Sequence, residues 1–277
     1  MHIQKLAVFD LDRTLLDDRS VISDETAARL RAVSAPGLAC TVASGRDLER
    51  IAPYIQQLAW LSVPVIAEQG AIVVDPQNGN ILMERAISPE VLLGSVETVR
   101  SIDVSVNMIL YGRGDPQVFR NVGAPSFVDE WGPSWYTSHL RYVPVASEIA
   151  TDGVRKISII CLPENTDAVR DLVVESLGPR ANVVKADRNF VNIMDAGVSK
   201  GSALRWLIDY LGLESSRVMA VGDCEADRSM FAAALVSVAV ANADEQTRSL
   251  ARFVVPSNNE QGAAVALERF AAGEFGV

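Results

Sequence analysis

Two aspartates, Asp10 and Asp12, follow the apolar run Leu6-Ala7-Val8-Phe9 in the segment KLAVFDLDRTLLDD. A run that apolar reads as a strand buried on both faces, where an unpaired charge is costly, so the pair needs a cation or metal beside it. Residues two apart in extended backbone point the same way, which predicts both carboxylates on one side of the strand end. Three further segments supply partners. CTVASGRD places Ser44, Gly45 and Arg46 after a second apolar run, MDAGVSKGSAL opens a helix on Lys200, and RVMAVGDCEAD delivers Asp223 and Asp227. Carboxylates gathered around one hard cation suit magnesium, which prefers oxygen ligands. Lys200, Ser44 and the N–H groups of helix starts can hold phosphate oxygens and offset the charge developing on them. In that arrangement Asp10 attacks phosphorus, and Asp12 gives a proton to the leaving oxygen and later takes one from water.

The elements that must position these groups follow from alternation. Strand 5–10, helix 24–33, strand 38–43, helix 47–58 and strand 63–67 form one series. Helix 199–212, strand 217–221, helix 225–234, strand 235–240 and helices 244–250 and 260–271 form a second. Such alternation predicts βαβ units and a Rossmann-like, doubly wound parallel sheet whose ligands collect at the carboxyl ends of its strands. Between the two series the texture changes: AIVVDPQNGNILMER reads as two strands around a Pro-Gln-Asn-Gly turn, VSVNMILYG alternates as a half-buried strand, and a stretch rich in Gly, Pro and Trp runs from Gly112 to Pro144. Strand 154–162, helix 165–177 and strands near 182–186 and 190–194 follow. The expected organisation is an α/β core of residues 1–83 and 195–277 with an inserted α+β cap of residues 84–194.

Composition removes several classes of function. A net charge of −10 opposes general attraction to nucleic acid or an anionic membrane. No run of about 18 apolar residues or signal-peptide pattern is present, so a cytoplasmic protein is expected. Cys40, Cys161 and Cys224 are widely spaced and odd in number, fitting neither a disulfide framework nor a CxxC metal site. With only His2 and His139, histidine chemistry has little material.

In order, DLDRTLL, VASGR, GVSKGSAL and GDCEAD resemble the four motifs of haloacid dehalogenase superfamily phosphatases. The insert between the second and third is similar to the large cap of subclass IIB, the Cof-type group. The resemblance implies Asp10 as nucleophile, Asp12 as general acid/base, and Ser44 and Lys200 as phosphate-binding residues. It further implies Mg2+ held by Asp10, the Asp12 backbone carbonyl and Asp223, supported by Asp227, Gly45 and Arg46. A small phosphorylated metabolite, a sugar or sugar-acid phosphate, is the expected substrate, and the cap would select the leaving group. Four positions depart from the common pattern: Arg13 and Gln69 stand where Gly and Asn are usual, Ala226 replaces an Asn, and Asn192 replaces a Glu. A non-Gly residue at 13 argues against positive φ there.

Simpler readings exist for each feature. A lone DxD pair is ordinarily a solvated turn, Ser44 can merely cap a helix, and Arg46 divides evenly between a surface ion pair and a leaving-group contact. Trp131, Trp135 and Tyr136 read as cap core before they read as a sugar platform. Two rivals remain at this level. A phosphomutase would share the nucleophile, and a non-catalytic metabolite-binding regulator would share only the fold.

Overall fold

The computed structural model describes residues 3–33, 36–58, 63–120, 140–143 and 146–276. Trp131, Trp135, Tyr136 and His139 lie outside the described residues. The chain separates into two compact units, Met1–Glu84 with Ser199–Val277, and Arg85–Val198.

In chain order, the first unit begins with β1 (Lys5–Phe9), α1 (Asp24–Ala32), β2 (Leu38–Val42), α2 (Leu48–Gln57), β3 (Val65–Ala67), β4 (Ile72–Val74) and β5 (Ile81–Glu84). The second unit holds α3 (Pro89–Ser101), β6 (Asn107–Tyr111), β7 (Gln117–Arg120), β8 (Arg141–Tyr142), β9 (Lys156–Ile160), α4 (Thr166–Leu177), β10 (Ala181–Asp187) and β11 (Phe190–Asp195). The chain then returns to the first unit with α5 (Lys200–Leu211), β12 (Val218–Gly222), α6 (Arg228–Phe231), β13 (Val236–Val240), α7 (Glu245–Leu250), β14 (Phe253–Val255) and α8 (Gly262–Ala271).

The first unit is built on a five-stranded sheet in the order β14-β13-β12-β1-β2, parallel throughout. The first strand is apolar at every position after Lys5, and Leu6, Ala7 and Val8 are wholly buried, as a sheet covered on both faces requires. The helix starts are set locally: Ser23 and Asp47 cap α1 and α2 by accepting the amides of Thr26 and Arg50. β3, β4 and β5 form a separate antiparallel sheet, so the apolar run near 63–67 does not extend the parallel one; among the described residues a bridge between Ala43 and Ile66 connects the two. The β4–β5 turn is held by Asp75, whose carboxylate accepts from the Gln77 amide and Asn78 Nδ2, with Gly79 at φ 75°.

The second unit has a six-stranded sheet in the order β10-β11-β9-β6-β7-β8, antiparallel except for the β7–β8 pair. α3 packs on α4, and Val91, Leu92, Val99, Val169 and Val173 meet Met108, Ile157, Ile159 and Ile193 in its core. Further elements depart from the sequence reading. α3 is a helix of 13 residues that the strand-dominated pattern did not predict, and β14 adds an edge strand between the last two helices. The expected helix over 225–234 is a single 3-10 turn, Glu225–Asp227, leading into the short α6.

Candidate active site

The parallel register brings three sequence motifs to one edge. Phe9 lies opposite Val42 on β2 and Val221 on β12. The Asp10 amide donates to the Val221 carbonyl at 2.9 Å, and the Ala43 amide to the Phe9 carbonyl at 2.8 Å. Asp10, Ser44 and Asp223 therefore leave neighbouring strands at their carboxyl ends, where an open α/β sheet collects its ligands.

Lys200 joins this edge from α5. Ser199 caps that helix through a reciprocal pair with Ser202, and the first helical residue, Lys200, points its ammonium at two carboxylates. Its Nζ donates to Asp10 Oδ1 at 2.5 Å and to Asp227 Oδ1 at 2.7 Å. All three side chains are buried. The start of α5 is fixed by close backbone approaches. A Cβ on Gly201 would lie 2.0 Å from the Ser229 carbonyl oxygen, and one on Gly70, where φ is 93°, would lie 2.1 Å from that of Ser199. The Gly201 amide donates to Ser229 Oγ at 3.0 Å, and Ser229 Oγ donates to the Ala226 carbonyl at 3.1 Å. Lys200 and Asp227 are thus located by one shared set of contacts.

Asp227 uses both carboxylate oxygens internally. While Oδ1 meets Lys200, Oδ2 accepts from the backbone amides of Asp223 at 2.9 Å and Cys224 at 3.1 Å. It shapes the loop that carries Asp223. Asp223 accepts at Oδ1 from Thr14 Oγ1 at 3.2 Å. Burial first, and then the Asp227 charge, push the Asp223 carboxyl from its ordinary 3.8 up to about 7, although Lys200, Arg13 and Thr14 oppose the shift. Burial, followed by Asp227, also pushes Asp10 well up against the opposing pull of Lys200. Burial alone would lower the Lys200 ammonium, but Asp10 and Asp227 overcome it and hold it well above its ordinary value.

Asp12 departs from the expectation drawn from extended geometry. β1 ends at Phe9, and Leu11–Leu15 forms a π-type turn closed by the Leu16 amide on the Leu11 carbonyl at 2.8 Å. The two aspartates consequently find different partners. Asp12, whose side chain is 48% exposed, takes a bidentate pair from Arg46: Nε to Oδ2 at 2.8 Å, and Nη2 to Oδ1. The ion-pair reading of Arg46 is the one the structure shows, on a partly buried side chain; it stacks over Tyr54 at 5.1 Å and donates from Nη1 to the Tyr54 hydroxyl, which donates to the Ser20 carbonyl.

Arg13 also differs from its expectation, with φ at 59°. The π-turn requires a left-handed residue at this point, and its geometry overrides the preference of a residue with a Cβ. Gln69 likewise sits at φ 60°, and its amide nitrogen occupies the space a side chain at Gly45 would need, 2.5 Å from that Cβ position. Ser44 is buried; its hydroxyl accepts from the Arg46 amide at 3.1 Å, and its carbonyl accepts from the Gln69 amide at 3.0 Å. Asn192 is in the other unit, buried and hydrogen-bonded to Ser158 Oγ at 2.6 Å. Ala226 is buried and takes part through its carbonyl alone. Sequence reasoning missed Thr14, Tyr54, Ser229 and Gly201; the Gly directly after Lys200 was the available signal for the last.

The donor set fits a hard divalent cation. Asp10, Asp223 and Asp227 lie around one buried internal cation, Lys200, which bonds to Asp10 and Asp227, and burial first, then the neighbouring Asp227, raises the carboxyls of Asp10 and Asp223. Among the described residues, Oδ2 of Asp10 and Oδ2 of Asp223 accept no hydrogen bond, whereas the Asp227 oxygens are occupied. Ligand atoms of Asp223, Cys224 and Asp227 lie within 4.8 Å of one another, but burial, then the two carboxylates, push the Cys224 thiol well up, and a protonated sulfur is a poor ligand for such an ion. A separate cavity of about 370 Å³, lined by Asp17, Arg19, Glu25, Asn258, Asn259 and Gln261 among others, contains none of these groups.

Comparison with known proteins agrees with this geometry. The family model for haloacid dehalogenase-like hydrolases matches residues 7–267. A Haemophilus influenzae protein named as a candidate phosphatase is 30% identical over 263 residues, covering 95% of this chain and 97% of that protein. A Bacillus subtilis protein named in the same way is 28% identical over 271 residues, covering 95% and 97%. A solved structure of a subclass IIB sugar phosphatase shares the fold, with a TM-score of 0.81 and 20% identity over 96% of this chain and 99% of that one.

Proposed function

The chain belongs to the haloacid dehalogenase-like hydrolase family and is a phosphatase, and from that premise we propose that it is magnesium-dependent, acts on small phosphorylated metabolites, and works through an aspartyl-phosphate at Asp10. The observation that carries the reading is the buried cluster in which one ammonium, Lys200, serves both Asp10 and Asp227 while an oxygen of Asp10 stays open. An anion can attack an anionic phosphoryl group only where its surroundings supply excess positive charge.

In this proposal Asp10 bonds to phosphorus as the ester P–O bond breaks, and Asp12 protonates the departing oxygen. Water then attacks the phosphorus, Asp12 accepts its proton, and Asp10 and inorganic phosphate are released. Lys200 orients the nucleophile, and Ser44 with the neighbouring backbone amides binds phosphate oxygens. Mg2+ held by Asp10, the Asp12 carbonyl and Asp223 would screen the charge between nucleophile and substrate. Arg85–Val198 is the proposed selector of the leaving group, and the fold shared with a sugar phosphatase supports sugar or sugar-acid phosphates as its class. Among the described residues no helix is long and apolar enough to cross a membrane, and the proposed location is the cytoplasm.

The test is phosphate release from a panel of phosphorylated metabolites, in magnesium and in chelator, for wild type and Asp10→Asn. Release in magnesium alone, lowered at least about 10³-fold in the variant, is expected. Activity that survives the substitution or the chelator refutes the mechanism, and a requirement for a bisphosphate activator would make the protein a mutase.

A further inference from the structure

The turn that carries Asp12 is held from outside by two asparagines that lie beyond the four motifs. Asn242, in the loop after β13, donates from Nδ2 to the Arg13 carbonyl at 2.7 Å. Its Oδ1 accepts from the Asn258 amide at 2.9 Å, and Asn258 in turn donates from Nδ2 to the Leu16 carbonyl at 3.0 Å. Both ends of the segment Arg13–Leu16 are therefore gripped by residues that are bonded to each other across 16 positions of sequence. The same loop also holds the backbone at Asp223, since the Asp244 amide donates to the Asp223 main-chain carbonyl at 3.1 Å.

Arg13 is where this grip matters. A residue with a Cβ resists φ of 59°, because its side chain crowds the following carbonyl. The Arg13 side chain is exposed, so apolar burial does not hold it there. Its carbonyl has a fixed direction only while the turn stays left-handed, and in that direction it meets Asn242. We propose that Asn242, backed by Asn258, is a positioning residue that holds Arg13 in its left-handed conformation and thereby places Asp12 for proton transfer. This rests on the phosphatase mechanism above for its activity readout, though the clamp itself is a statement about the turn.

The test is a double-mutant cycle with Arg13→Gly, since glycine adopts positive φ without the steric cost. Asn242→Ala is expected to lower kcat about tenfold in the Arg13 background with KM changed less than about twofold, because the phosphate-holding groups lie elsewhere. In the Arg13→Gly background the same substitution should lower kcat by about twofold or less. A merely structural asparagine would cost the same in both backgrounds, and that result overturns the clamp, as does a full-activity Asn242→Ala. Asn242→Asp keeps the acceptor for the Asn258 amide but loses the donor, and should fall as far as the alanine variant; retention of activity refutes the assigned bond.

Amide hydrogen exchange of Leu16 provides a readout independent of turnover, because its N–H closes the turn on Leu11. Protection should drop in Asn242→Ala and return when Arg13→Gly is combined with it; unchanged protection in the single variant overturns the proposal. If wild type releases phosphate from no substrate while exchange follows this pattern, the mechanism above fails and the clamp stands.

Discussion

Asp223→Asn should make the metal-free protein more stable at alkaline pH while removing a proposed metal ligand. Asp223 is 6% exposed, and its carboxyl is pushed from 3.8 to about 7 by burial and by Asp227. Between those values the folded protein without metal keeps a proton that the unfolded chain has given up. More protons are bound in the folded state, so stability falls as pH rises through the window and the loss is complete above about pH 7. Three pH units at about 1.4 kcal/mol each give a penalty of about 4 kcal/mol for the ionised side chain. Asparagine keeps an acceptor for Thr14 Oγ1 and carries no charge. Urea unfolding in chelator should find the variant more stable than wild type by about 2–4 kcal/mol at pH 8, with the gap closing toward pH 4. Magnesium at 100 times its dissociation constant should then add about 2.7 kcal/mol to wild type and little to the variant. A variant no more stable than wild type at pH 8 in chelator would refute the electrostatic reasoning, and a gap that ignores pH would assign the effect to packing.

Two further expectations follow from the same cluster. Lys200→Met leaves Asp10 and Asp227 facing each other without their shared ammonium, and should cost about 3–5 kcal/mol in urea unfolding at pH 7, together with phosphate release. Gly201→Ala forces a Cβ to 2.0 Å from the Ser229 carbonyl and should destabilise by about 1–3 kcal/mol or more, with activity falling because Lys200 is adjacent. Gly79→Ala, at φ 75° with open space around it, is its control: it bears only the conformational cost, about 1–2 kcal/mol, and should leave turnover alone.

The parallel core was readable because its strands are buried on both faces and leave continuous apolar runs; β1, β2, β12 and β13 each came within a residue or two. Asp10, Ser44, Lys200 and Asp223 were legible for a related reason, each standing immediately beyond such a run or a helix cap. What the sequence hid depends on third partners. Whether Asp12 follows Asp10 or turns toward Arg46 is decided by a π-turn whose closing bond spans five residues, a spacing that neither strand nor helix periodicity reports. The left-handed Arg13 was misjudged because intrinsic preference is only a prior, and the turn around it outweighs that prior. α3 escaped notice although Ser88-Pro89-Glu90 is a sound helix start and Val91, Leu92, Val96 and Val99 share one face. β14 has only three residues, of which Val255 alone is buried, so its pattern was too short to read.

Glu84 and Ser199, the points where the chain leaves the first unit and re-enters it, share a mooring. Glu84 pairs with Ile72 across β4 and β5, and the Ser199 carbonyl rests on Gly70, two residues away. Topologically, all of Arg85–Val198 is one excursion from a base two residues wide. The entropy of closing such an excursion grows only with the logarithm of its length, about 0.6 kcal/mol per doubling, so the base tolerates inserts of very different size. A foreign domain with closely spaced termini could be grafted between these residues while Asp10, Lys200 and Asp223 keep their register, because all three depend on bonds made within the first unit.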